Sequence, residues 1–124
     1  MNSQTFRQKL GQRSEQIAAD YLRGQGYIIE QANVRFPVGE IDLIAKEGET
    51  LCFVEVRSAS SEEWGGPLAT VTYPKQRRLI RAASWYLQRL RELPLYTRFD
   101  VLGITWPEAG EPSVDLIRGA FEAH

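Results

Sequence analysis

Two consecutive apolar strands in the middle of the chain constrain the fold more than any other feature of the sequence. Residues 38–45 (VGEIDLIA) and 50–57 (TLCFVEVR) are apolar at nearly every position, and a short turn containing Gly48 joins them. Strands with this pattern are usually covered on both faces, since strands with one solvated face alternate apolar and polar residues. The pattern therefore predicts an antiparallel hairpin near the centre of a sheet, with helices on both faces.

The rest of the 124-residue chain supplies the covering helices and flanking strands. Periodicity and turn residues predict a helix at residues 4–22, an edge strand at 27–33, a long loop at 58–72, a helix at 74–91, a strand at 98–105 and a last edge strand at 113–118. This order predicts a layered α/β fold with a central mixed sheet. The length predicts a single domain over residues 1–124.

The composition excludes several classes of site. Cys52 is the only cysteine and His124 the only histidine, which excludes an internal disulfide, a Cys/His zinc site and most histidine-based catalysis. Any catalysis must use carboxylates, Lys, Arg, Tyr or Ser. The N-terminus is polar, and no apolar run approaches the roughly 20 residues of a membrane-spanning helix. We therefore expect a cytoplasmic protein without membrane contact.

The net charge of −1 hides an uneven distribution. Residues 64–98 contain seven basic residues and one acid, whereas the remainder of the chain is acidic. Twelve of the fifteen basic residues are arginines, which suit bidentate phosphate contacts better than lysines do. A near-neutral total is therefore compatible with a nucleic-acid partner.

Three carboxylates interrupt the apolar hairpin, and one of them, Glu40, precedes Ile41 after a glycine. The other two are flanked by apolar residues on both sides: Asp42 in the first strand and Glu55 in the second. Because the strands are hairpin partners, the two side chains can be neighbours, and the repulsion between them is relieved by a shared proton or a cation. An oxygen-only ligand set fits Mg²⁺ or Mn²⁺. Alternatively, these acids lie in solvent at strand ends or pair with Arg35, Arg57 or Arg98.

Two further residues are candidates for the same site. Arg57 lies two residues after Glu55 and so points to the same face of the sheet. It can orient a water or stabilise developing negative charge, or it simply forms an ion pair with Glu55. Glu15 falls at the margin of the buried stripe of the first helix. It either points toward the carboxylate pair or is solvated.

The second predicted helix has a basic outer face. Opposite its apolar stripe lie Arg77, Arg78, Arg81, Trp85, Gln88 and Arg89, with Lys75 in the first turn. Arginines interleaved with an exposed tryptophan are typical of a surface that follows a nucleic-acid backbone and stacks on bases. The alternative is a solvated basic face without a ligand.

Several motifs resemble a known bacterial family. They are GQRSEQIAADYLRGQGYIIEQANVR, GEIDLIA, LCFVEVR, a W-G-G-P-L loop, K-x-x-R-L-I-x-x-A and RFDV. In this order they resemble the YraN family, a group of predicted endonucleases similar to archaeal Holliday-junction resolvases. The resemblance implies a three-layer α/β/α restriction-endonuclease-like (tRNA-endonuclease-like) fold with a PD-(D/E)xK active site.

The resemblance also implies roles for individual residues. Asp42 stands at the Asp of the motif, Glu55 at its second acid, and Glu15 at the helical glutamate that completes the Mg²⁺ or Mn²⁺ site. Arg57 stands where the family usually has lysine, and arginine cannot act as a general base because it stays protonated. The implied function is a metal-dependent endonuclease acting on nucleic acid, in particular branched DNA. The alternatives are a catalytically impaired nucleic-acid-binding module and a protein-interaction domain, such as a homodimer, on the same fold.

Overall fold

The chain folds into a five-stranded mixed sheet with a helix on each face. The structure is a computed structural model that describes residues 6–60 and 65–123. Its elements are α1 (Phe6–Gly24), β1 (Ile28–Phe36), β2 (Gly39–Glu47), β3 (Thr50–Ser60), a short 3₁₀ helix η1 (Pro67–Thr70), α2 (Tyr73–Leu87), β4 (Tyr96–Trp106) and β5 (Ser113–Phe121). The strand order is β1-β2-β3-β4-β5, in which β3 and β4 are parallel and the other neighbours are antiparallel.

Two separate clusters of buried residues show that α1 and α2 cover opposite faces. The cluster under α1 contains Ala18, Leu22, Tyr27, Leu43, Ala45, Cys52, Val54, Leu102 and Ile104. The cluster under α2 contains Ile41, Ile44, Leu51, Phe53, Leu79, Ala82, Ala83 and Phe99. Successive residues of β3 alternate between the clusters, as successive side chains of a strand must. This double burial explains why β2 and β3 are apolar at nearly every position.

The connection from β3 to β4 determines where α2 lies. Parallel strands need a crossover, because a two-residue hairpin can join only antiparallel strands. Here the crossover contains η1 and α2. Gly103 of β4 lets η1 pack closely, since an added Cβ at Gly103 would lie 3.3 Å from side-chain atoms of Pro67 and Leu68. The crossover therefore brings η1 and the start of α2 next to the C-terminal half of β3.

The predicted order of elements is confirmed, and several boundaries differ. The strands are longer than predicted, because β1 continues to Phe36, β3 to Ser60 and β5 to Phe121. Helix α2 ends at Leu87 instead of residue 91, and part of the predicted loop at 58–72 is the helix η1. The predicted helix start at residue 4 and Trp64 of the W-G-G-P-L loop lie outside the described residues. No helix among the described residues has the length and apolar character needed to cross a membrane.

A buried charge network lies on the face of the sheet that α1 covers. Asp100 of β4 is 1% exposed, and its carboxylate accepts four hydrogen bonds. The donors are the hydroxyl of Tyr27 (2.8 Å), Nε and Nη2 of Arg98 (2.8 and 3.0 Å) and the backbone N–H of Gly119 (2.9 Å). Nη2 of Arg98 also donates to Glu47 at 2.7 Å. This network ties β2, β4 and β5 to the chain that follows α1.

Candidate functional site

Asp42 and Glu55 meet where the ladder between β2 and β3 ends. The register of these strands begins at the pair Leu43–Val54, and Asp42 lies just before it. There the carboxylate replaces a backbone acceptor, because its Oδ2 accepts the backbone N–H of Val56 at 2.8 Å. This bond fixes the orientation of the Asp42 side chain. Asp42 and Glu55 line the same pocket, and the charge of Asp42 raises the pKa of Glu55, as expected of neighbouring carboxylates.

Arg57 is held from two sides. Its Nη1 lies 3.4 Å from Oε1 of Glu55, and its Nε donates to Oγ1 of Thr70 at 2.8 Å. The Thr70 hydroxyl in turn donates to the carbonyl of Pro67 at 2.6 Å. The Glu55 and Arg57 side chains are only 14% and 28% exposed. The guanidinium is therefore anchored to η1 and orients Glu55.

The alternative that the acids form ion pairs with arginines holds for two of the three arginines considered. Arg57 pairs with Glu55, as described above. Arg35 pairs with Glu40, at 3.5 Å, and both side chains are exposed. Arg98 belongs to the buried network on the other face. Asp42 therefore has Glu55 and the backbone of Val56 as its neighbours, with no arginine partner among the described residues.

The two carboxyl groups hold protons more tightly than free carboxyl groups do. Burial raises the pKa of Asp42, and smaller contributions from the charges of Glu40 and Glu15 add to this effect. Burial, followed by the charge of Asp42, raises the pKa of Glu55 to about 7. A buried pair of this kind shares a proton near neutral pH or takes up a cation.

The pair opens into a pocket of about 250 Å³ between the sheet and the start of α2. Its lining consists of Gly39, Glu40, Asp42, Glu55, Arg57, Lys75, Arg78 and Leu79. Gly39 begins β2 beside the backbone of Arg78, and its φ of 151° is a conformation that residues with a side chain rarely adopt. The pocket therefore presents acids from the sheet and basic side chains from α2 to the same space.

Glu15 lies apart from this pair. The residue is half-buried, and its carboxylate accepts a solvent-exposed hydrogen bond from Nδ2 of Asn33, at 3.1 Å. It does not line the pocket. Among residues 6–60 and 65–123, no three His, Cys, Asp or Glu side chains form a group that could hold a metal ion. The structure thus brings together two of the three carboxylates that the sequence grouped.

The basic surface of α2 is partly as the sequence predicts. Arg77, Arg78 and Arg81 are exposed, and none forms an ion pair with an acid within the described part of the chain. The expectation of an exposed Trp85 is wrong. This side chain is half-buried, and the guanidinium of Arg89 lies 3.4 Å from its ring centroid. Arg89 itself follows the end of α2, because the helix is shorter than predicted.

Sequence reasoning missed one residue of the site and assigned another to a different surface. Thr70 anchors Arg57, and nothing in its local sequence indicates a partner 13 residues away. Lys75 was grouped with the outer basic face, but it is half-buried and lines the pocket. Its place in the first turn of α2 was the available signal, since that turn faces the sheet where the helix begins.

Comparisons with known proteins match most of this chain to a family of bacterial sequences. A family model described as Uncharacterised protein family UPF0102 matches residues 14–104. A UPF0102 protein of Desulfosudis oleivorans is 44% identical over 118 residues, which cover 95% of this chain and 94% of the relative. A UPF0102 protein of Symbiobacterium thermophilum is 46% identical over 115 residues, covering 93% of this chain and 98% of the relative. The matched region includes Asp42, Glu55, Arg57 and Lys75.

Proposed function

The chain belongs to the family described as Uncharacterised protein family UPF0102, the YraN-like family that its motifs resemble, and from this premise we propose that it is a divalent-cation-dependent nuclease-like protein. One observation carries the proposal: Asp42 and Glu55 face a pocket that also contains Lys75 and Arg78. Paired carboxylates suit a divalent cation, and the basic side chains suit the phosphate of a nucleic acid. The proposed reaction is hydrolysis of a phosphodiester, with branched DNA as the first substrate to test.

The residues of the site fit Mg²⁺ or Mn²⁺. In nucleotide and polymerase sites Mg²⁺ is usually held by one or two carboxylates together with waters and substrate phosphates. Asp42 and Glu55 supply two carboxylates, and Glu15, which is bound to Asn33 and does not line the pocket, is not required as a third. Burial, followed by the charge of Asp42, raises the pKa of Glu55, so the two carboxylates repel each other when both are ionised. A bound divalent cation would offset this repulsion and polarise the phosphate.

Each residue of the pocket then has a defined task. The backbone of Val56 orients Asp42, and Arg57 orients Glu55. Arg78 and Lys75 attract the phosphate to the mouth of the pocket. In the hydrolysis, water adds across the ester bond, so that its oxygen joins phosphorus and a hydrogen ends on the departing sugar oxygen.

The first prediction concerns the cation. At pH 8, Mn²⁺ is expected to raise the melting temperature of the wild-type protein, by an amount equivalent to about 2.7 kcal/mol at a hundred times its dissociation constant. Asp42→Asn should abolish this response, because the amide keeps an acceptor for the Val56 N–H and removes the charge. Calorimetric titration measures Mn²⁺ binding to the wild-type protein and to the variant, and melting curves measure the change in melting temperature of each. The matched control is Asp115→Asn, which changes an exposed aspartate of β5 and should respond as wild type does. Equal responses in wild type and Asp42→Asn would exclude this site.

The second prediction concerns nucleic-acid binding by α2. Affinity for duplex DNA should fall with salt, because each phosphate contact adds roughly 0.9 to the slope of log K against log salt. The double variant Arg77→Gln/Arg81→Gln should reduce that slope by about 2. Fluorescence anisotropy at several salt concentrations measures the slope.

The control for this measurement removes the same charge elsewhere. Arg23→Gln/Lys46→Gln changes two exposed basic residues that already pair with Asp20 and Glu30. Its slope should equal that of wild type. A slope unchanged in the α2 variant, or reduced equally in both, would contradict binding through this helix.

A second candidate function is a nucleic-acid-binding module without cleavage. Two observations favour it. Arg57, which stands in place of the motif's lysine, is held by Thr70 and Glu55, and β3 contains no lysine that could replace it. The two functions differ in one assay. Mn²⁺-dependent cleavage of branched or single-stranded DNA, lost in Asp42→Asn, supports the nuclease. Salt-dependent binding without cleavage over the same substrates supports the module.

A further inference from the structure

The lysine that the strand motif lacks has a counterpart on α2. Lys75 lies in the first turn of the helix, is half-buried and lines the same pocket as Asp42 and Glu55. Within residues 6–60 and 65–123, no hydrogen bond or ion pair holds its ammonium group. Its side chain is therefore available to a ligand of the pocket.

Arg57 is not available in the same way. Its Nε is bound to Thr70, and its Nη1 faces Glu55. A guanidinium anchored at both points orients a carboxylate but does not swing toward a substrate. A lysine ammonium is compact, and its flexible stem lets it follow a phosphate oxygen.

The surroundings of Lys75 also distinguish it from a surface lysine. Burial lowers its pKa, and the charges of Arg57 and Arg78 lower it further. Its two carboxylate neighbours, Asp42 and Glu55, act in the opposite direction. An ammonium in this position gains from the approach of an anion that offsets the nearby guanidinium groups.

We propose that Lys75 is the phosphate-binding residue of the site, its Nζ donating a hydrogen bond to a non-bridging oxygen of the phosphodiester, while Arg57 is a positioning residue for Glu55. The proposal rests on the proposed function for the identity of the substrate. The geometry that carries it is the shared pocket, with the acids on β2 and β3 and the free ammonium on α2. The lysine of the site thus comes from the crossover helix instead of the strand.

The first test does not depend on cleavage. The chain has three lysines, Lys9, Lys46 and Lys75, so peptide mapping can follow each one. Pyridoxal 5′-phosphate forms an imine with a lysine amine, releasing water, and borohydride reduces that imine to a stable secondary amine. We expect the label to favour Lys75 over Lys46 by about tenfold, since the neighbouring Arg78 can hold the reagent's phosphate while the Lys75 amine reacts, and a charge-assisted phosphate contact is worth at least one decade.

Two comparisons separate phosphate binding from mere reactivity. Pyridoxal without its phosphate should lose most of the preference for Lys75. The lowered pKa of Lys75 is the same with both reagents, so a lost preference reports phosphate binding and not amine reactivity. Inorganic phosphate and a short single-stranded oligonucleotide should both protect Lys75 and leave Lys46 unprotected. Equal preference for the two reagents, or no protection, would overturn the proposal. Protection by inorganic phosphate alone would also overturn it, because a phosphodiester would then not reach Lys75.

The second test uses variants in the Mn²⁺ cleavage assay. Lys75→Met should lower kcat about 100-fold, as loss of one stabilising donor commonly does, and leave the Mn²⁺ affinity unchanged. Lys75→Arg should recover part of the rate, and Lys46→Met is the control. Arg57→Lys should give no gain, because it loses the contact with Thr70. A large gain in Arg57→Lys, or an unchanged rate in Lys75→Met, would contradict the assignment.

The two tests also separate this proposal from the proposed function. If Mn²⁺ does not bind at Asp42, or if wild type cleaves nothing, the nuclease function fails and the labelling experiment alone decides the role of Lys75. If cleavage depends on Asp42 but not on Lys75, the function stands and the assignment of Lys75 fails.

Discussion

Asp100→Asn is expected to lower the free energy of unfolding by about 3 kcal/mol, because the amide leaves a buried donor without an acceptor and weakens hydrogen bonds that were made to a charged group. The Asp100 carboxylate accepts hydrogen bonds from Tyr27, Arg98 and Gly119 and is 1% exposed. An asparagine keeps one acceptor atom but directs an N–H₂ group toward donors. It also removes one of the two countercharges of Arg98, so that only Glu47, at 2.7 Å, remains.

Urea denaturation followed by circular dichroism measures this effect. Asp115→Asn is the control, and its change should stay within about 0.5 kcal/mol because the side chain is exposed. If Asp100→Asn does not fold, Tyr27→Phe tests the same network by removing one donor, with an expected loss of about 1 kcal/mol. A loss below about 1 kcal/mol in Asp100→Asn would show that the network is not a major source of stability.

Without divalent cations, the protein is expected to lose about 3 kcal/mol of stability between pH 4.5 and pH 7 through the Asp42–Glu55 pair, at about 1.4 kcal/mol for each tenfold change in proton affinity. Burial and the charge of Asp42 raise the pKa of Glu55 to about 7, from 4.5 in an unperturbed glutamate. The folded protein thus binds the proton more tightly than the unfolded chain. The stabilisation is complete below the unfolded pKa and is lost as the pH rises through the folded pKa.

Glu55→Gln isolates this contribution. Glutamine resembles the protonated acid, so the variant should be more stable relative to wild type at pH 8 than at pH 5, by about 3 kcal/mol. Urea denaturation in EDTA at the two pH values gives the difference, and Glu49→Gln in an exposed turn is the control. The same difference at both pH values would mean that the pair does not hold a proton in the folded state.

Much of the fold was predictable because the polarity pattern of each strand and helix depends on which of its faces are buried. The almost entirely apolar sequences of β2 and β3 predict burial on both faces, and the structure has helices on both faces. Boundaries were less predictable. In the sequence, the helical spacing of apolar and basic residues in α2 continues past Leu87, but the helix ends at that residue. Strand ends such as Ser60 depend on pairing with β4, and no pattern within β3 records that pairing.

The candidate site was predictable where its residues are neighbours in a hairpin. Asp42 and Glu55 interrupt two strands that the turn at Gly48 must bring together, so their meeting followed from spacing and strand alternation. The position of Glu15 was not predictable in this way. Its helix packs on the other face of the sheet, and its carboxylate contacts Asn33 of β1, which the helical periodicity of α1 does not indicate.

By itself, the sequence determined the hairpin, the helical covering on both faces, the carboxylate pair and the basic character of α2. These properties depend on residues that are close along the chain, where side-chain periodicity defines the geometry. Only the tertiary structure decided that Lys75 enters the pocket, that Thr70 anchors Arg57, and that Asp100 is buried among its donors. The physical reason is that these contacts depend on the path of the crossover and on the register between β3 and β4, which are set by packing between segments far apart in sequence.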